Sequence, residues 1–208
     1  MSLSVTYQNL RKRANQKRRN NLNIFFIIHL IMKKTITIPE GVEVRFDNEI
    51  LLVKGPKGEL SREFKSKSIN VSVDKNEITL SSDSDRKKVK ALLGTWAAHM
   101  RNMIIGVTTG WEAKLKVVYS HFPIKISKED DKIIIQNFLG ERKERTAKIP
   151  DGVEVDIKKD EIIITGIDKE RVGQAAANVE LATKIKGYDR RVFQDGCYIV
   201  QKCKPIGE

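Results

Sequence analysis

Apolar and polar residues alternate through residues 69–80 (INVSVDKNEITL) and again through 153–164 (VEVDIKKDEIII), each time interrupted by a polar turn. A two-residue period puts alternate side chains on one face, so both stretches predict β-hairpins. They align position for position, Ile69 with Val153 and Leu80 with Ile164, which marks an internal duplication. Behind each hairpin stands an aspartate, then apolar residues at three- and four-residue steps. Asp85 precedes Val89, Leu92, Leu93, Trp96, Met100 and Met103; Asp168 precedes Val172, Ala175, Ala176, Val179, Ala182 and Ile185. That spacing predicts two amphipathic helices, each with an apolar stripe that a sheet must cover. Each aspartate can accept bonds from free N–H groups of a first turn, and Ile167 and Val172 hold the positions of a hydrophobic staple. Gly187 suits a left-handed residue closing the second helix, with Lys184 and Lys186 beside its negative end.

A further strand pair precedes each hairpin: residues 42–46 with 49–53 about Asp47-Asn48, and 124–127 with 132–135 about Glu129-Asp130-Asp131. Ala113, Leu115, Val117 and Tyr119 open the second sheet, and the stretch from Gly106 to Gly110 reads as a hinge. The predicted fold class is α+β: two duplicated domains, each an antiparallel or mixed β-sheet packed against one α-helix. The expected divisions are a basic N-terminal extension at 1–31, an N-terminal repeat at 32–109, a C-terminal repeat at 110–187, and a basic tail or hairpin at 188–208 that completes the second repeat.

Charge sharpens this picture. The chain of 208 residues carries a formal net charge of +12, and half of it comes from residues 1–31, which contain six cations and no acid. A basic balance of this size points to nucleic acid or an anionic surface. The apolar run from Ile24 to Met32 is too short to span a bilayer, and Lys33-Lys34-Thr35 is no small-residue cleavage site. Residues 1–31 read either as a start placed too early, with Met32 the true first residue, or as a basic arm that is disordered until it meets RNA. The first reading is preferred.

Little else carries chemistry. Two cysteines, Cys197 and Cys203, make no disulfide framework, and no Cys/His set has metal-ligand spacing, so no metal site is expected. Gly55-Pro56-Lys57-Gly58 lacks P-loop spacing and reads as a turn between strands. No pair of carboxylates and no nucleophile–base set is apparent, so no catalytic residue and no enzyme activity are expected. Cys197 and Trp96 read as core residues, and Trp111 as a wedge at the hinge.

The segment 184–204 is different. Lys184, Lys186, Arg190, Arg191, Lys202 and Lys204 face only two acids, Asp189 and Asp195, and Tyr188, Phe193 and Tyr198 are interleaved with them. Cations neutralise phosphates, and planar rings stack on unpaired bases. The predicted RNA-binding set is Lys184, Lys186, Gly187, Tyr188, Arg190, Arg191, Asp195, Gly196, Lys202 and Lys204, with Asp195-Gly196 as the turn of a short hairpin.

Several motifs, in order, resemble one family. They are Ile38-Pro39-Glu40-Gly41-Val42, Val53-Lys54-Gly55-Pro56-Lys57-Gly58, His121-Phe122-Pro123-Ile124, Asn137-Phe138-Leu139-Gly140-Glu141, and Arg191-Val192-Phe193-Gln194-Asp195-Gly196 followed by Tyr198. Residues 32–202 resemble the universal large-ribosomal-subunit protein L-six family in its archaeal and eukaryotic branch, called L-nine in eukaryotes. The absence of a long insert before the first helix leans archaeal. The resemblance implies two duplicated α+β domains, no catalytic activity and no cofactor. It implies binding of large-subunit rRNA, mainly through the C-terminal domain, near the sarcin–ricin loop and the base of the factor-binding stalk. The expected partners are that rRNA and neighbouring large-subunit proteins, with no membrane and no small-molecule substrate, at the ribosome in the cytoplasm. Cys197 departs from the usual aliphatic residue, and residues 1–31 have no family counterpart. The alternative is an extra-ribosomal RNA-binding or protein-interaction module that reuses the duplicated domain.

Overall fold

The alternating stretches form strands and the two stripes form helices in the computed structural model, which describes residues 32–119, 121–189 and 191–207. The N-terminal extension and Arg190 lie outside the described residues. The chain runs β1 (Met32–Thr37), β2 (Glu43–Asp47), β3 (Ile50–Gly55), β4 (Gly58–Glu63), β5 (Asn70–Val73), β6 (Glu77–Ser82) and α1 (Lys87–Thr108). It continues with β7 (Trp111–Val118), β8 (Lys125–Glu129), β9 (Lys132–Gln136), β10 (Arg145–Lys148), β11 (Val153–Ile157), β12 (Glu161–Gly166), α2 (Lys169–Ala182) and β13 (Gly196–Pro205).

The duplication is visible in the pairing. In the first half β6 lies between β1 and β5; in the second, β12 lies between β7 and β11. The remaining strands form separate antiparallel sheets of order β2-β3-β4 and β10-β9-β8. The fold is therefore α+β and twofold, as the alternation predicts. The second half has one strand more, because β13 pairs antiparallel with β7 on its open side. The third strands β4 and β10 were not anticipated. Their sequences, GELSRE and RTAK, are too polar to announce a buried face.

The described residues gather into two compact units, one of residues 32–37 and 64–98, the other of 38–63 and 99–207. In the first, Ile36, Ile78, Leu80, Leu93 and Trp96 are buried, and Trp96 meets Phe64 edge-on at 5.2 Å. Trp96 is thus a core residue. Leu92 is not: it is 37% exposed. One step of 100° moves it off the arc centred on Leu93, Trp96, Ala97 and Met100.

In the second unit, Val172, Ala175, Ala176 and Val179 of α2 join a core with Ala113, Leu115, Ile162 and Ile164 of the sheet. Asp168 accepts from the Glu170 N–H at 2.9 Å and so caps α2. The β2–β3 turn has Asn48 at φ 50° and Glu49 at φ 65°. Two left-handed residues there match the twist of the flanking strands.

The expected hinge begins inside a helix. Gly106 lies inside α1, and Gly110, at φ +79°, follows the helix end. The Gly55–Gly58 turn is a strand turn as expected, and it also closes α1. The Lys57 N–H donates to the Val107 carbonyl at 3.0 Å, and the Lys57 ammonium donates to the Thr109 carbonyl. These bonds satisfy carbonyls that a helix end leaves unpaired. Trp111 is buried in the core of this unit, its Nε1 donating to the Asn102 carbonyl at 3.2 Å and the Lys169 ammonium lying 4.3 Å from its ring centroid.

Cys197 is buried as predicted. Burial pushes its thiol up to about 11, offset in part by the bond to Thr183. Burial likewise raises Cys203. Since the thiolate is the nucleophile, the raised thiol and its burial leave Cys197 little reactive at pH 8. Iodoacetamide should label the folded protein slowly at that pH and label both thiols promptly in urea. Fast labelling of Cys197 in the folded state would contradict this packing.

Candidate nucleic-acid interface

The interface begins where α2 stops. Thr183 is buried, and its hydroxyl lies 3.3 Å from the Val179 carbonyl and 3.2 Å from that of Glu180. The same oxygen accepts the Cys197 N–H at 2.9 Å, tying the helix end to β13. The helix therefore closes at Thr183, and Gly187, though at φ +79°, serves a bend four residues later rather than the cap.

Arg145 completes this end. Its guanidinium donates to the carbonyls of Ala182 at 2.9 Å and Lys184 at 3.0 Å. Two further bonds, at 2.8 and 2.6 Å, hold Glu141, and the group sits 4.3 Å from the Phe138 ring centroid. Those bonds from Arg145 keep the Glu141 carboxyl below the usual carboxylate value. With its backbone fixed, the segment turns Ile185 into the core and leaves Lys184 and Lys186 exposed.

The next residues form a closed turn. Asp189 takes the Arg191 N–H on its side chain at 2.9 Å, and its carbonyl takes the N–H groups of Val192 and Phe193. Phe193 stacks on His121 with centroids 4.6 Å apart, and Tyr188 leans on Phe193 at 4.8 Å. His121 is tied in turn to Asp195, with Nδ1 2.9 Å from one carboxylate oxygen and its backbone N–H 3.3 Å from the other. Asn137 donates to the Pro123 carbonyl, and Gly140 leaves room for the Phe122 ring. Motifs far apart in sequence thus meet around one turn.

The predicted hairpin about Asp195-Gly196 does not form. Residues 192 and 193 are not in a strand, and Gly196 instead opens β13 beside β7. The reason is Asp195 itself, which is buried at 1% exposure and anchors the turn inward. Gly196 is buried too. Neither residue faces outward; both set the shape of the turn.

Lys184, Lys186, Gly187, Tyr188 and Arg191 are exposed together on this segment. Lys202 and Lys204 are exposed on β13 but stand further along it, with Lys204 roughly 20 Å from Tyr198 at about 3.3 Å per residue. Arg190 lies outside the described residues. The nearby acids are already engaged: Glu141 by Arg145, Glu144 by Gln136 at 2.6 Å, Asp189 by a backbone N–H, and Asp195 by His121. Among the described residues, none of Lys184, Lys186, Arg191, Lys202 and Lys204 forms an ion pair. Lys184 and Lys186 share a surface hollow with Lys143, and Lys184 also lines a hollow with Tyr198.

Arg145, Lys143, His121 and Thr183 are the residues that sequence reading missed. Arg145 has no local signal, since it stands 39 positions from the Lys184 carbonyl it holds. His121 lies within a noted motif but 74 positions from Asp195. No metal-holding cluster of His, Cys, Asp or Glu occurs among the described residues.

A family model described as ribosomal protein L6 matches the chain twice, over residues 38–110 and 122–196. The chain is 48% identical over 169 residues to the large ribosomal subunit protein uL6 of Methanosarcina mazei, covering 81% of this chain and 96% of that one. It is 48% identical over 176 residues to the uL6 of Methanobrevibacter smithii, covering 85% and 99%. With the uL6 of Methanothrix thermoacetophila it shares 50% identity over 169 residues, covering 81% and 96%.

Proposed function

Because the chain belongs to the ribosomal protein L6 family, we propose that it binds large-subunit rRNA through the turn that follows α2, near the sarcin–ricin loop and the stalk base. Membership makes it a structural, non-catalytic constituent of the large ribosomal subunit, associated with ribosomal RNA and ribosomal proteins. No described helix is long and apolar enough to cross a membrane. The proposed contacts are Lys184, Lys186, Gly187, Tyr188, Arg190 and Arg191, with Lys202 and Lys204 reaching a second stretch of backbone, in a cytoplasmic ribosome. Asp195 and Gly196 shape the turn from beneath. The twofold family match supports repeats at 32–109 and 110–187, and the pairing of β13 with β7 supports giving residues 188–208 to the second.

One observation carries the reading: exposed cations that form no ion pair among the described residues sit on a segment braced by Arg145. Positive potential there is left for an external anion. Phosphate neutralisation releases counterions, so each cation should appear in the salt dependence. Lys184→Ala or Lys186→Ala is expected to weaken binding to a large-subunit rRNA fragment several-fold and to lower the salt slope by about one unit. Arg191→Ala should cost more, since a guanidinium fork holds a phosphate by two bonds. Circular dichroism should be unchanged, because exposed charges add little to stability. Unchanged affinity and slope in all three would move the RNA site to another surface.

A further inference from the structure

Tyr188 is 52% exposed, yet its ring rests against another ring. It leans on Phe193 at 4.8 Å and 50°, and Phe193 stacks on His121 at 4.6 Å and 29°. His121 is fixed by the buried carboxylate of Asp195. A row of three rings thus lies along the surface, half-buried at Phe193, anchored from beneath by the Asp195 carboxylate and ending at Tyr188 on a planar group in water. A tyrosine needed only for packing would be covered. One needed only for its hydroxyl would not need two rings behind it. Exposed cations, Lys186 and Arg191, lie two and three positions away and form no ion pair among the described residues.

We propose that Tyr188 is a stacking platform for one unpaired base. This rests on the RNA reading above and narrows its ligand to RNA with a bulged or looped-out nucleotide. Phosphate contacts alone serve duplex and loop alike, because both present the same backbone charge. A base face becomes accessible only when the nucleotide leaves the helical stack. Stacking on a pre-ordered ring also avoids the entropy of ordering that ring on binding. The row is therefore a device for preferring unpaired over paired RNA, while the cations supply affinity to both.

The test uses the full chain and two RNA hairpins, one with a single bulged 2-aminopurine and one with the bulge deleted. The wild type should prefer the bulged hairpin by about tenfold, within the range of base–aromatic stacking, and should quench the 2-aminopurine fluorescence. Tyr188→Phe should keep both effects. Tyr188→Ala should lose both, with the salt slope on the paired hairpin unchanged because no cation is removed. Tyr188→Leu retains an apolar contact to Phe193 without a planar face, and should also lose both. Equal wild-type binding to the two hairpins with an ordinary salt slope, or a preference that survives in Tyr188→Leu, would overturn the platform and leave the RNA reading standing. Wild-type protein that binds neither hairpin would overturn the RNA reading together with the platform.

Discussion

Gly106→Ala is expected to lower the thermal midpoint by roughly 6 °C, even though alanine is the better helix former. In the interior of a helix that exchange favours alanine by about 1 kcal/mol. At Gly106, however, an added Cβ would lie 2.0 Å from the Ile167 carbonyl oxygen and 3.2 Å from Trp111 Nε1. The first contact is with backbone, which cannot rotate away as a side chain can. Relief requires α1 to withdraw from the turn before α2, and with it the buried indole of Trp111. Overpacking of this kind costs about 3 kcal/mol, which exceeds the gain in propensity. For a chain of this size each kcal/mol moves the midpoint by about 2–4 °C. Gly94→Ala is the control. It lies on the same helix, but the nearest atom to its added Cβ is the Lys34 ammonium at 3.6 Å, an ordinary contact at the end of a flexible side chain. That variant should gain about 1 kcal/mol and a few degrees. Scanning calorimetry of the two variants and wild type decides the matter. Equal midpoints would mean that α1 and the Ile167 turn are not packed as described.

Asp195→Asn should weaken RNA binding although it removes a negative charge from a phosphate-binding region. Charge counting alone predicts tighter binding, since the net charge becomes more positive. Structure predicts the reverse. Asp195 holds His121 from beneath by two contacts, and His121 backs the rings that order the turn from Tyr188 to Phe193. An amide is the same size but offers one acceptor where the carboxylate offers two, and it lacks the charge that strengthens those bonds. The loss of a buried charge-assisted bond costs about 2–3 kcal/mol, felt as stability and as disorder of the turn. The expected result is a thermal midpoint lower by several degrees and affinity for the rRNA fragment lower by about tenfold. The salt slope should barely change, because no cation has been removed. Affinity equal to or above that of wild type would show that the turn keeps its shape without the clamp, and that charge governs this surface.

The amino-acid sequence by itself determined the repeat, the α+β class and the location of the basic segment. These are local properties: a two-residue period in 69–80 and 153–164, a helical period after Asp85 and Asp168, and a count of charges in 184–204. Each is written in neighbouring residues, so no partner from elsewhere is needed to read it. The inward turn of Asp195, the closing of α2 at Thr183 and the bracing of Lys184 by Arg145 were decided only by the tertiary structure. Each depends on a residue brought from another element: His121 from before β8, Cys197 from β13, Arg145 from β10. Asp195-Gly196 carries the local marks of a hairpin turn, and local preference is worth about 1 kcal/mol. Pairing β13 with β7 and burying a clamped carboxylate contribute more, so the chain leaves the local solution for the one that only folding supplies.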